Sequence, residues 1–179
     1  GIGAGNSTCG NEANFMRCQV AQDFFARGVN YLSIQDDTWE SGTITLYNVA
    51  GLWANRVQLS NVVLGYNVAD EEPSDTGNYG LSGSSALIYG NVSLSGSAQA
   101  GYDRLDGTQI TGNVTLAGTS KFRAYRGHIG GNVLVAEGAQ LDLYGTYIKG
   151  TATFTAGAPN TLCTLVGGEL VSTLTDSGS

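Results

Sequence analysis

One short pattern recurs down the chain at nearly even spacing: an aliphatic residue, any residue, then glycine. It reads Ile88-Tyr89-Gly90, Ile110-Thr111-Gly112, Ile129-Gly130-Gly131, Ile148-Lys149-Gly150 and Val166-Gly167-Gly168, and the glycines lie 22, 19, 19 and 18 residues apart. A strand-like stretch follows the first four: Asn91-Val92-Ser93-Leu94, Asn113-Val114-Thr115-Leu116, Asn132-Val133-Leu134-Val135 and Thr151-Ala152-Thr153-Phe154. A strand-bearing period of about 20 residues specifies a solenoid, whose coils contact only their neighbours. Gly42-Thr43-Ile44-Thr45-Leu46 and Asn61-Val62-Val63-Leu64 extend the series upstream.

Side chains alternate in direction along a strand. The pairs Ile44/Leu46, Val62/Leu64, Val92/Leu94, Val114/Leu116, Val133/Val135 and Ala152/Phe154 are therefore expected to point inward and stack in columns. Ile88, Ile110, Ile129, Ile148 and Val166 make a further column. A second strand in each coil is visible in Lys121–Tyr125 and Gln140–Tyr144, one period apart. The expected fold is all-β: a parallel β-helix of about seven coils, each of roughly 18–22 residues, with an N-terminal capping helix. Residues 1–37 form the Gly-rich segment and cap, the helix spanning 11–27 on the spacing of Phe15, Cys18, Val20, Ala21, Phe24 and Phe25. Residues 38–179 form the β-helix, with an acidic insertion near 69–83.

These Ile-x-Gly-Asn-Val-x-Leu units resemble the right-handed parallel β-helices of bacterial surface and secreted proteins, such as autotransporter passenger domains and pectate-lyase-like folds. The resemblance covers about residues 38–175. It implies an extracellular or cell-surface location. It does not imply a function, because this fold carries lyases, adhesins and plain stalks.

Composition narrows the partners. Charged residues are 13% of the chain, against about a quarter in ordinary proteins. A net charge of −7 argues against a nucleic-acid ligand, and no apolar run approaches the length of a membrane span. No sequence feature points to a cofactor or a structural metal. Asp70, Glu71, Glu72 and Asp75 lack a calcium-loop spacing and read as a solvated loop. Cys9 and Cys18 are a candidate disulfide, which implies an oxidising compartment, whereas Cys163 reads as a small packed residue.

Three surfaces are candidates for function. The second-strand face carries Arg104, Asp106, Arg123, Tyr125, Asp142 and Tyr144, an exposed ladder suited to a subunit interface or an extended glycan. The Thr/Asn positions outside the repeat strand offer a flat ladder for ice, interrupted by Val63 and Leu134; Asn91 and Asn113 also match glycosylation acceptors. The C-terminal stretch with Leu170, Val171 and Leu174 shows no capping helix and reads as an assembly end. Lys121, Arg123 and Arg126 lie close to Asp103, Asp106 and Asp142, but no calcium-type carboxylate set accompanies them, and His128 has no evident carboxylate partner. The chain is therefore read as a non-enzymatic structural subunit of an extracellular fibre or surface assembly that self-associates through its ends. The alternative is an adhesin or carbohydrate-binding β-helix engaging a polysaccharide or host surface; lyase and ice-binding roles have thinner support.

Overall fold

A computed structural model describes residues 12–27, 31–36, 38–39, 41–47, 51–65, 81–84, 86–136, 138–155, 162–170 and 173–176. They form a parallel β-solenoid with no helix. Three sheets run along it, each of eight described strands, and every inner strand pairs with its counterparts one coil before and after. The first sheet runs from Glu12–Met16 to Leu162–Val166, the second from Gln19–Val20 to Glu169–Leu170, and the third from Phe24–Arg27 to Leu174–Asp176. Its interior is described almost without a break over about four coils, residues 86–155. Register there is strict in the later coils: Lys121 pairs with Gln140, His128 with Tyr147 and Val133 with Ala152.

The expected N-terminal helix and the count of seven coils are both corrected. Residues 12–27 are strands, and they supply the eighth strand of each sheet. Glu12–Met16 pairs with Tyr31–Gln35, and Phe24–Arg27 with Ile44–Tyr47. Burial here has a period of two: Ala26 is 4% exposed, and its neighbour Phe25 is 57% exposed. Arg17 stands at φ 58°, in the left-handed region, which ends any right-handed helix between Met16 and Gln19. The apolar spacing suited a helix, but backbone partners on the next coil decide the matter.

The aliphatic columns hold. Ile44, Leu46, Val62, Val92, Leu94, Val114, Leu116, Val133 and Val135 are each no more than 1% exposed, as are Ile88, Ile129 and Ile148. Val166 is the exception: it ends a first-sheet strand opposite Tyr144 and is 53% exposed. Leu170 takes the expected place, paired with Ile148. The extra residues between Phe154 and Leu162 shift the last coil by this amount, so the Val-Gly-Gly motif lands one corner early.

The repeat glycine is required by space. A Cβ on Gly90, Gly112, Gly131 or Gly150 would lie 2.4–2.5 Å from a backbone oxygen of the preceding coil. The asparagine that follows has its own task. Asn61 Oδ1 accepts the Asn91 N–H at 2.9 Å, Asn91 the Asn113 N–H at 2.8 Å, Asn113 the Asn132 N–H at 2.8 Å and Asn132 the Thr151 N–H at 2.9 Å. Asp23 does the same for Thr43 at 2.8 Å. This column therefore binds coil to coil. Asn113→Ala removes one such bond near the surface and is expected to lower stability by about 0.5–1.5 kcal/mol. Asn113→Asp keeps the acceptor and should stay close to wild type; urea denaturation of the two variants checks this.

Candidate functional site

The outer face of the first sheet carries the polar ladder. The strands Lys121–Tyr125 and Gln140–Tyr144 stand in direct register, so Arg123 lies over Asp142 and Tyr125 over Tyr144. Arg123 Nη2 donates to Asp142 Oδ2 at 3.1 Å, and Gln140 Nε2 donates to the same oxygen at 2.8 Å. Burial works against the Arg123 charge, and the hydrogen bond and field of Asp142 more than offset it, so the guanidinium holds its proton more tightly than usual. The carboxylate was expected to be exposed. It is 5% exposed, because the two longer side chains lie across it.

Tyr125 and Tyr144 stack with ring centroids 4.8 Å apart and planes 11° from parallel. Their facing surfaces are thus used on each other, and the column offers less ring face to a sugar than the sequence implied. Asp106 stands one coil before Tyr125 in this column, paired to it by its backbone. Its carboxylate takes a two-pronged ion pair from Arg126, with Nε to Oδ1 at 2.8 Å. Arg104 falls where the Gln99–Asp106 strand shifts register between Ala100 and Asp106, and its side chain lies outside the described residues. His128 packs against Tyr147 on the next coil, centroids 4.9 Å apart.

Sequence reasoning missed the corner beside this face. One residue after seven of the eight first-sheet strands, the backbone turns through the left-handed region: at Arg17, Asp36, Arg56, Gly107, Arg126, Gly145 and Gly167. Four of these are charged, although glycine is the residue that adopts this conformation at no steric cost. The signal was present as Gly107, Gly145 and Gly167 at matching offsets, with charged residues in the same slot elsewhere. Arg56 grips Asp36 with Nε to Oδ1 at 2.7 Å and Nη2 to Oδ2 at 3.1 Å.

That hydrogen-bonded guanidinium holds the Asp36 carboxyl below its ordinary value of 3.8, against an opposing burial effect and with help from the fields of Arg56 and Arg17. A carboxyl depressed on folding stabilises above its unfolded pKa, and the contribution is lost as pH falls through the lower folded value. Thermal midpoints of wild type and Arg56→Gln should therefore differ slightly near neutrality and converge as the pH drops below about 4. The pair is exposed, so high salt should shrink the difference.

The other expected sites are placed as follows. Cys9 lies outside the described residues, so its bridge to Cys18 is not placed; Cys18 is half-buried, its thiol 3.6 Å from the Met16 carbonyl. Cys163 pairs by its backbone with Leu141. Leu170 and Leu174 belong to the outermost strands of the second and third sheets, and Val171 and the acidic insertion lie outside the described residues. Among the described residues no three His, Cys, Asp or Glu side chains gather to hold a metal, and no helix is long and apolar enough to cross a membrane. No known protein family matches the chain, and no curated protein or solved structure matches it either.

Proposed function

We propose that this chain is a structural subunit of an extracellular fibre or cell-surface assembly that grows through the ends of its β-helix. The observation that carries the reading is the matched pair of outer strands. Among the described residues, Leu162–Val166 stands outermost in the first sheet at one end, and Glu12–Met16 stands outermost at the other. Every pairing between them is parallel, so the last strand of one copy presents the ladder that the first strand of another needs. Addition in register would set Val166 against Met16, which are 53% and 59% exposed, and so cover two apolar side chains. Head-to-tail contacts that do not close into a ring give filaments. The sparse charge and the resemblance to surface β-helices support the location.

The test is light scattering and negative-stain microscopy over a range of concentrations. Wild type should form linear particles, and Thr164→Pro, which removes a backbone donor from an outermost strand, should shorten them without loss of the sheet signal. A species monomeric at every concentration would overturn the proposal. The second reading, a glycan-binding adhesin, is favoured by Arg123 and the tyrosine column. It requires Tyr144→Ala to lose binding on a glycan array while staying folded.

A further inference from the structure

Between the corner at Arg56 and the corner at Gly107 the surface opens into a cleft of about 390 Å³. Val57 and Ala86, each 1% exposed, form its floor. The outer column of the second sheet runs through it, where Gln58, Leu87 and Gln109 follow one another in register. Gln58 and Gln109 are exposed, and Leu87 is half-buried between them. Two coils at about 4.8 Å set the two carboxamides about 10 Å apart. Among the described residues neither carboxamide has a hydrogen-bond partner. Two residues beyond Leu87 stands Tyr89, 56% exposed. By the same register its neighbours one coil before and after are the small residues Ser60 and Thr111. Tyr125, Tyr144 and Tyr147 each lie against another ring, and among the described residues no ring lies against Tyr89.

We infer that this cleft and Tyr89 form a binding site for a neutral oligosaccharide extended along the solenoid. The inference rests on the glycan-binding reading above and moves its site from the first-sheet ladder to the second sheet. Charge selects a neutral ligand. Arg56 is the only charged residue lining the cleft, and its Nε and Nη2 already hold Asp36. No carboxylate lines the cleft to receive a cation. Hydrogen bonding selects hydroxyls. A carboxamide both donates and accepts, as a hydroxyl does, whereas a carboxylate or phosphate only accepts. The backbone disfavours a peptide. The Leu87 N–H donates to the Val57 oxygen and the Gln109 N–H to the Ala86 oxygen, both at 2.9 Å, so an added strand finds no open edge. Leu87 and the Tyr89 ring supply apolar surface for the C–H face of a sugar, with few polar groups beside it to fix its orientation.

The test is isothermal titration calorimetry of the full chain with cellohexaose, xylohexaose, mannohexaose and the charged hexagalacturonate, with circular dichroism to check folding. At least one neutral sugar should bind, and more tightly than hexagalacturonate. Gln58→Ala and Gln109→Ala should each weaken it about two- to tenfold, and Tyr89→Ala at least about tenfold. Thr153→Ala, on the third sheet, should leave affinity unchanged. Loss of binding in Tyr144→Ala with Gln58→Ala, Gln109→Ala and Tyr89→Ala unaffected overturns the inference and leaves the glycan-binding reading standing on the first-sheet ladder. Preference for hexagalacturonate overturns the neutral ligand. A chain that binds none of the sugars at millimolar concentration overturns the inference and the glycan-binding reading together. Binding of a random decapeptide library through Gln58 and Gln109, with no sugar bound, overturns the ligand class.

Discussion

Gly112→Ala is expected to cost about 3 kcal/mol or more, enough to unfold much of a domain of ordinary stability. The new Cβ would lie 2.4 Å from the Gly90 oxygen, 2.7 Å from the Gly90 carbonyl carbon and 2.7 Å from Asn91 Oδ1. Two of these atoms are backbone. The oxygen already accepts the Gly112 N–H at 3.1 Å, and Asn91 Oδ1 accepts the Asn113 N–H at 2.8 Å. Relief requires the two coils to part, but hydrogen bonds in three sheets hold them at one spacing. Parting would also open the Val92–Val114 and Leu94–Leu116 stacks. Gly107→Ala is the control. Its φ is +66° and a Cβ there meets nothing within 4 Å, so only backbone strain of about 1–2 kcal/mol applies. Denaturant unfolding should place the two variants far apart, and equal losses would refute the steric account.

Phe122→Ala should cost about 3–5 kcal/mol. Phe122 is 1% exposed and sits in a column between Ala100 and Leu141. The small Ala100 leaves room for the ring, so a second alanine stacked on it creates a void spanning two coils. The backbone cannot collapse into that void, because neighbouring strands fix the coil spacing. Phe122→Leu keeps most of the volume and should lose much less. Chemical denaturation monitored by circular dichroism measures both.

The parts of the fold that were legible in the sequence are those where geometry leaves one residue type. Gly112 and Gly131 repeat because a side chain would strike the coil below, and Asn91 and Asn113 repeat because each feeds the coil above. The inward aliphatics of 86–155 follow from them by alternation. The first coil was illegible because Asp23-Phe24-Phe25-Ala26 lacks the Gly-Asn marker, and two adjacent phenylalanines suit a helix as well as a strand. The last coil was misaligned because a longer connection moved Val166 to a different sheet. Of the candidate ladder, the Arg123–Asp142 and Tyr125–Tyr144 pairings were readable from the period. The burial of Asp142 was not, because it depends on how long neighbouring side chains fold over. Nor was the corner, where arginine occupies a backbone conformation that sequence rules reserve for glycine.

That corner bears on how a chain of near-identical coils finds a single arrangement. Within residues 86–155, displacing one segment by a whole period keeps the inward aliphatics of the third sheet and the repeat glycine in matching slots, so that pattern alone rejects it only weakly. The corner ion pairs are different, because they do not occur in every coil. Asp36 meets Arg56 and Arg126 meets Asp106, whereas the corresponding corner slots at 145 and 167 hold glycine. A displaced coil would bring charge against glycine or against like charge. These weak surface pairs thus act as an address for each coil, worth little as stability and more as discrimination against its neighbours' places.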